Sequence, residues 1–301
     1  MAQISSVRRD RSRSMLVFQI LAKAICGLFA LFCVLPFIMI LSASFTSEGY
    51  IALNGYSLFI HDFSPEAYGT IFKDSSMVLR SYGVTIFITV VGTALALFII
   101  TMAAYVVSRK DFRYRNHFSF YFYFTTLFNG GLISTYILYV RYLGLKNSIW
   151  AMILPGLFST FYMIVMRSFM SEIPSSLVES AKIDGAGEFR IYFRIIIPLT
   201  RSGLITIGLF IALGYWNEWY NCMLYITDER LFPLQYLLYN MLASQQALAR
   251  IASKTAVKLA NMPSKSMRMA MTVIAVGPVL LAYPFIQKYF VKGITVGAVK
   301  G

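Results

Sequence analysis

The chain is 301 residues long and 58% hydrophobic with a mean hydropathy of +0.65, too apolar for a soluble domain of this size. A formal net charge of +14 and a pI near 9.7 would suit a nucleic-acid partner, but the basic residues cluster between apolar runs, as in loops that flank membrane spans. Cys26, Cys33 and Cys222 lack metal-ligand spacing and read as buried thiols, and His61 and His117 lack catalytic company, so neither metal nor nucleophilic chemistry is supported.

Residues 1–23 read as a cytoplasmic N-terminus bearing Arg8, Arg9, Arg11 and Arg13, with a short interfacial helix over 15–23. The apolar run 24–43 meets the roughly 20 residues a bilayer requires, and no small-residue cleavage site follows, so it reads as a retained anchor. The polar stretch 44–80 reads as an external loop. A second span, 81–108, ends at Arg109, Lys110, Arg113 and Arg115, which place that end in the cytoplasm.

The third span, 118–140, carries Asn129-Gly130-Gly131 at its middle, where adjacent glycines mark either close helix contact or a flexible polar point on a translocation path. A fourth span over 147–166 is expected to kink at Pro155. The fifth, 202–226, holds Tyr215-Trp216-Asn217-Glu218-Trp219-Tyr220-Asn221 in its outer half. Polar groups at membrane depth face protein or water, so this cluster reads either as a lining of the path or as interfacial anchoring. A second large loop, 227–268, is expected to be helical over 245–259, with Arg250, Lys254 and Lys258 on one face. The sixth span, 269–287, closes on Lys288 and Lys292. The fold class is thus all-α membrane protein with six transmembrane helices and both termini cytoplasmic. Residues 24–292 form the transmembrane domain and 293–301 a cytoplasmic tail.

Between the fourth and fifth spans lies a charged, glycine-containing segment, 171–198. Ser176 and Glu179 have capping-box spacing, which predicts a short helix that starts beside Pro174 and stops at Asp184-Gly185. A second short helix is expected from Glu188 to Pro198. Glu179-Ser180-Ala181, Asp184-Gly185-Ala186 and Ile197-Pro198, with the proline nineteen residues after the glutamate, resemble the "EAA loop" of permease subunits of ABC importers. Ser180 and Ile197 depart from that pattern, standing where the family usually has alanine and leucine. Asn129-Gly130-Gly131-Leu132, Leu143-Gly144-Leu145, Trp216-Asn217-Glu218 and the ending from Gln287 to Gly301 look like carbohydrate permeases of the maltose-importer class, most similar to its LplC/YtcP-like branch.

That resemblance implies a type I importer permease fold in a bacterial cell membrane. Glu179, Ser180, Ala181, Asp184, Gly185 and Ala186 would then shape a cytoplasmic coupling helix that seats in an ATPase subunit, with Arg190 and Arg194 supplying charge beside it. Gly297, Val299, Lys300 and Gly301 would be a second ATPase contact. Asn129, Gly130, Trp216, Asn217, Glu218 and Trp219 would line the substrate path. The implied partners are a second permease in a heterodimer, two ATPase subunits, an extracytoplasmic solute-binding protein, membrane lipid and an oligosaccharide. The chain carries no phosphate-cradling G-x-x-x-x-G-K-[ST] loop, so ATP and Mg would belong to the ATPase. The alternatives are an ABC permease for another solute and an ATPase-independent secondary transporter. The latter needs intramembrane ion-coupling groups, and Glu218 is the one acid within a predicted span.

Overall fold

The computed structural model describes residues 13–73, 75–255 and 265–298, with side chains described for 15–73, 76–244 and 265–281. All regular structure among them is helical, apart from one isolated β-bridge between Thr46 and Phe63. The chain divides into two compact units, Met1–Ile71 with Pro263–Val273, and Phe72–Met262 with Ile274–Gly301.

In the first unit, α1 (Arg13–Ser44) runs 32 residues without interruption, so residues 15–23 continue the first span and form no separate interfacial helix. Its apolar surface is exposed all round, at Phe18, Leu28 and Phe32 for example, as expected of a helix whose solvent is lipid or another protein. Cys26 and Cys33 accordingly lie exposed on α1, against the expectation of burial; Cys222 alone is buried. The connection beyond α1 holds α2 (Glu48–Asn54) and α3 (Glu66–Lys73), and Phe45 stacks on Phe63 and Tyr68 at centroid distances of 5.7 and 4.8 Å. The Glu48 carboxylate accepts hydrogen bonds from the Lys265 and Ser266 backbone N–H groups, both 2.9 Å. An anion at a helix start satisfies orphan donors and opposes the helix dipole, so Glu48 fixes where the last helix begins.

The second unit is built on α4 (Ser75–Ser108). Ala96, Ile100 and Ala104 recur every fourth residue on one face of α4 and are fully buried. α5 (Arg115–Leu127) and α6 (Gly131–Ile137) divide the third predicted span at Asn129-Gly130, and a π-helical turn, Leu138–Tyr142, follows. The fourth span is likewise broken. α7 (Trp150–Ile153) and a 3-10 turn through Pro155 end at Gly156, and α8 (Thr160–Ser171) leaves at 51°, so the bend falls just after the proline.

The segment after α8 forms α9 (Ser175–Ile183), α10 (Glu188–Ile191) and α11 (Ile197–Leu199), with a π-helical turn over Tyr192–Ile196. After an 83° bend at Thr200 comes α12 (Arg201–Trp216), followed by α13 (Tyr220–Tyr225), α14 (Leu234–Thr255) and α15 (Lys265–Ala298). α14 begins eleven residues before the expected 245, and Lys258 lies outside the described residues. Met163, Met166 and Met170 of α8 and Ile207 and Ile211 of α12 bury against the small-residue face of α4. Small residues at such crossings let helix backbones approach in lipid, where apolar burial alone gives no preference for protein over solvent. Among the described residues, two helices, Met15–Ser44 and Ser76–Ser108, are long and apolar enough to cross a membrane uninterrupted, and the number rises to four if each bent pair counts as one span.

Candidate functional site: an elbow and a pocket joined by one helix

α9 and α10 form the elbow anticipated from the sequence, but its start differs. The N-cap is Pro174 and no side chain caps the first turn, so the Ser176–Glu179 capping box does not form. Pro174 has already set the chain's entry angle, and the helix begins one residue before Ser176.

The end of α9 is closed by backbone. Gly185 adopts φ +77°, its N–H bonds the Lys182 carbonyl at 3.0 Å, and the Ala186 N–H reaches back to the Ala181 carbonyl at 2.9 Å. This is the paired hydrogen bonding of a Schellman motif, in which the residue three before the cap and the one after the glycine come together. Those residues are Ala181 and Ala186, both packed on the buried cluster, so the small side chains of the E-S-A and D-G-A triplets are what let the elbow lie close to the helices behind it. Val178 (5% exposed), Ile191, Tyr192 and Ile196 anchor it, and the Tyr192 and Thr101 hydroxyls share a 2.6 Å hydrogen bond to α4.

A polar chain holds the same elbow from the side. Arg109 donates from Nε and Nη2 to both oxygens of Asp111, at 2.9 and 2.6 Å. Lys182 Nζ bridges Asp111 at 3.0 Å and Glu188 at 2.8 Å, and the other Glu188 oxygen accepts from the Tyr105 hydroxyl at 2.5 Å. The Arg109 hydrogen bonds, with Lys182 adding to them against opposing burial, hold the Asp111 carboxyl well below the usual carboxylate range. A depressed folded-state pKa stabilises at pH above the ordinary carboxylate value and is lost as pH falls below it, so this clamp is fully charged near neutrality. Exposed pairs of this kind contribute about 0–1 kcal/mol each, so burial is the main anchor and the ions fix orientation.

Glu179, Ser180, Asp184 and Gly185 are left on the exposed surface with Leu177, Ile183 and Phe189. Ile183 is 86% and Phe189 67% exposed. These three apolar residues were not singled out from the sequence, because a helix of nine residues has too few turns to tell an outward apolar stripe from an inward one. Arg190 and Arg194 are exposed as expected.

The path residues do not converge. Asn129 and Gly130 sit exposed at the break between α5 and α6, where the Asn129 side chain accepts from the Gly131 N–H at 2.8 Å and Gly131 takes φ +82°. Trp216 donates its indole N–H to the Ala275 carbonyl at 3.3 Å, Asn217 accepts from Gln235 at 3.1 Å, and Trp219 stacks on Tyr239 at 4.6 Å. Of the six, Glu218 lines a cavity of about 330 Å³, and the other five are not among its walls. Its carboxylate accepts the Asn221 backbone N–H at 2.7 Å and side-chain amide at 2.8 Å, thereby starting α13.

Four of the pocket's other walls were not foreseen, Phe158, Ser159, Tyr162 and Phe210, whereas Tyr215 and Asn221 belong to the polar, aromatic cluster recognised in the sequence. The walls come from the break before α8 and its first turn, from α12, and from the break before α13 and its first turn. Interrupted helices expose backbone and side-chain polar groups at membrane depth only where protein or a cavity receives them. Tyr215 holds the two walls together. Its hydroxyl donates to the Ile153 carbonyl at 2.8 Å; a Cβ on Gly92 would come within 2.6 Å of its ring, and one on Gly156 within 2.8 Å of its hydroxyl oxygen. Asn147, at φ +56°, secures the loop after α13 by accepting from the Thr227 N–H at 2.6 Å.

α15 extends through Gly297; Val299, Lys300 and Gly301 lie outside the described residues, as do Arg8, Arg9 and Arg11.

The family of binding-protein-dependent transport system inner membrane components matches residues 100–296. The chain is 40% identical, over 95% of its length and 99% of the relative's, to the polygalacturonan/rhamnogalacturonan transport system permease protein YtcP of Bacillus subtilis (strain 168). It is 38% identical to protein LplC of the same organism, over 89% of this chain and 90% of that one. A solved bacterial ABC transporter involved in the import of the acidic polysaccharide alginate contains a chain that superposes with a TM-score of 0.79 at 31% identity, covering 93% of this chain and 98% of that one.

Proposed function

Because the chain belongs to the family of binding-protein-dependent transport system inner membrane components, we propose that it is the sugar-conducting permease of an ATP-driven oligosaccharide importer, coupled to its ATPase through the α9–α10 elbow. It is a multi-pass membrane subunit that breaks no bond itself; ATP and Mg belong to a separate ATPase. The observation that carries the reading is the Gly185-closed elbow, which is anchored on one face and presents Ile183 and Phe189 on the other.

Six spans follow if the segments on either side of Asn129-Gly130 count as one and α15 as another, with both termini cytoplasmic. Residues 24–292 then form the permease domain, paired with a second permease and served by two ATPase subunits and a solute-binding protein on the outer face. The tail from Gly297 to Gly301 is a second ATPase contact.

ATPase closure acts on the elbow, and the route to the pocket is short. α10, the π-helical turn and α11 run into α12 across Thr200, whose hydroxyl donates to the Ile196 carbonyl at 2.8 Å. α12 carries Tyr215 and ends one residue before Asn217-Glu218, so displacement of the elbow is delivered to the pocket wall. Rigid elements with two arrangements are what such coupling requires.

The pocket suits a sugar. Aromatic faces from Phe158, Tyr162 and Phe210 receive the apolar side of a ring, and Ser159, Glu218 and Asn221 receive hydroxyls. Its lining holds one carboxylate and no cation, so an acidic sugar of the kind named for the relatives would here present hydroxyls and not its carboxylate.

The test is sugar-stimulated ATP hydrolysis by the reconstituted importer. Glu218→Ala is expected to raise the sugar concentration for half-maximal stimulation about tenfold, a hydrogen bond to a charged group being worth roughly 1.5–3 kcal/mol. ATPase co-purification should be unchanged, and an unaltered sugar response would remove Glu218 from the path.

A further inference from the structure

A cavity of about 510 Å³ lies where α4 and α8 end, walled by Arg115 at the first turn of α5 and by the first turn of α9. It shares no residue with the sugar pocket, and it meets the exposed face of the elbow at its rim, through Glu179. Two of its cations are engaged, since Arg109 and Lys182 both pair with Asp111. Lys110, Arg115 and Arg167 pair with no carboxylate among the described residues. Arg167 donates to the neutral Ser119 hydroxyl at 3.1 Å, which ties it to the turn of α5 that Arg115 opens, and both arginines line the cavity. Arg115 and Arg167 are each partly buried, whereas the cavity's remaining carboxylates, Glu172 and Glu179, are exposed at its rim.

The depth and the floor of the cavity identify the occupant. Its lining begins at Tyr105 and Ser108, in the last turn of a helix that passes as a complete span, so it sits at the level of the lipid headgroups. Its floor is apolar, from buried Met170, Val178 and Ile196. From Arg115 onward α5 exposes Phe118, Phe120 and Tyr121, a surface on which acyl chains can lie. Basic pockets between membrane helices at headgroup level bind phosphate-bearing lipid heads.

We propose that this cavity holds the phosphate headgroup of an anionic phospholipid, with Arg115 and Arg167 as its principal ligands and Lys110 at the mouth. A headgroup there would sit against both the base of α4 and the first turn of α9, so membrane composition would bear on how firmly the elbow is seated. The inference rests on the membrane-spanning reading and not on sugar recognition.

The complex, purified with its partner subunits, is exchanged into nanodiscs of neutral lipid doped with a fluorescent phosphatidylglycerol probe, and retention is measured. Arg115→Gln/Arg167→Gln is expected to weaken probe binding about 30-fold, each basic group near an anionic surface contributing about a fivefold factor. Arg115→Lys/Arg167→Lys should restore most of it, which separates loss of charge from misfolding. Lys146→Gln, outside the cavity, should bind as the unaltered chain does. Equal binding by all four proteins overturns the proposal. Millimolar inorganic phosphate displacing the probe through the same two arginines overturns the lipid source in favour of a soluble anion. Release of the ATPase by the double Gln variant with probe binding intact also overturns it, by making the cavity a protein contact.

Discussion

Gly185→Val is expected to lower ATPase co-purification and sugar-stimulated hydrolysis about tenfold while leaving the chain in the membrane, and Gly185→Asn is expected to keep most of both. No neighbouring atom stands within 4 Å of a Cβ at this position, so the effect is not a clash. It arises from φ +77°, a left-handed conformation that costs an L-residue roughly 1–2 kcal/mol and a β-branched one more, while asparagine visits it readily. If valine pulls residue 185 out of that region, the bonds to the Lys182 and Ala181 carbonyls open together and Ala181 and Ala186 separate. A population shift of 1–2 kcal/mol is about a 5- to 30-fold change in the docking-competent form. Because the anchoring residues Val178, Ile191 and Ile196 lie outside the turn, the transmembrane fold should survive. Equal loss in the valine and asparagine variants would show that side-chain size and not backbone conformation matters there.

Gly92→Leu is expected to be more damaging still, lowering the amount of folded protein in the membrane severalfold and its thermal stability by at least about 1–3 kcal/mol, the usual range for overpacking a filled core. A Cβ at residue 92 would stand 2.6 Å from the Tyr215 ring, which cannot retreat while its hydroxyl is held by the Ile153 carbonyl and its other side faces Gly156. The pair should therefore be non-additive. Gly92→Ala should be destabilising in the unaltered chain and nearly neutral when combined with Tyr215→Ala, because the second change removes the obstructing ring. Additive losses, read by heating the detergent-solubilised protein and following its aggregation, would show that the close approach is not what holds α4 against α12.

The outline of the molecule was legible because spans and elbow are written in signals of first order. Long charge-free runs located α1, α4 and α12, and a glycine after a short amphipathic stretch located the end of α9. Asn129-Gly130-Gly131 and Trp216-Asn217-Glu218-Trp219 were recognised as irregular, but what they do was not readable. Both interrupt helices, yet of their residues Glu218 is the one that reaches the 330 Å³ cavity, because convergence depends on which breaks the tertiary fold brings together. The Ser176–Glu179 pair shows the opposite error: a spacing with a known local meaning was overridden by Pro174, which starts the helix one residue earlier.

Asp111 shows what a sequence pattern hides. It is the lone acid in a basic cluster and reads as a diluted charge, whereas in the fold it joins Arg109 to Lys182 and, through Lys182, to Glu188. Partners separated by 71 residues leave no periodic trace. In the sequence Tyr215 is the edge of an aromatic run, and its role emerges from glycines on two other segments, Gly92 and Gly156.

The most direct measurement is site-specific cross-linking from the tip of the elbow. With Cys26, Cys33 and Cys222 replaced by alanine, Ile183→Cys is coexpressed with an ATPase subunit carrying single cysteines along its membrane-facing cleft, and the membranes are oxidised with and without ATP. Ile183 is 86% exposed at the end of α9 and should form a disulfide with the cleft whose yield changes when ATP is added. No cross-link at any cleft position, in membranes whose importer still takes up sugar, would contradict the account and place ATPase coupling elsewhere on the chain.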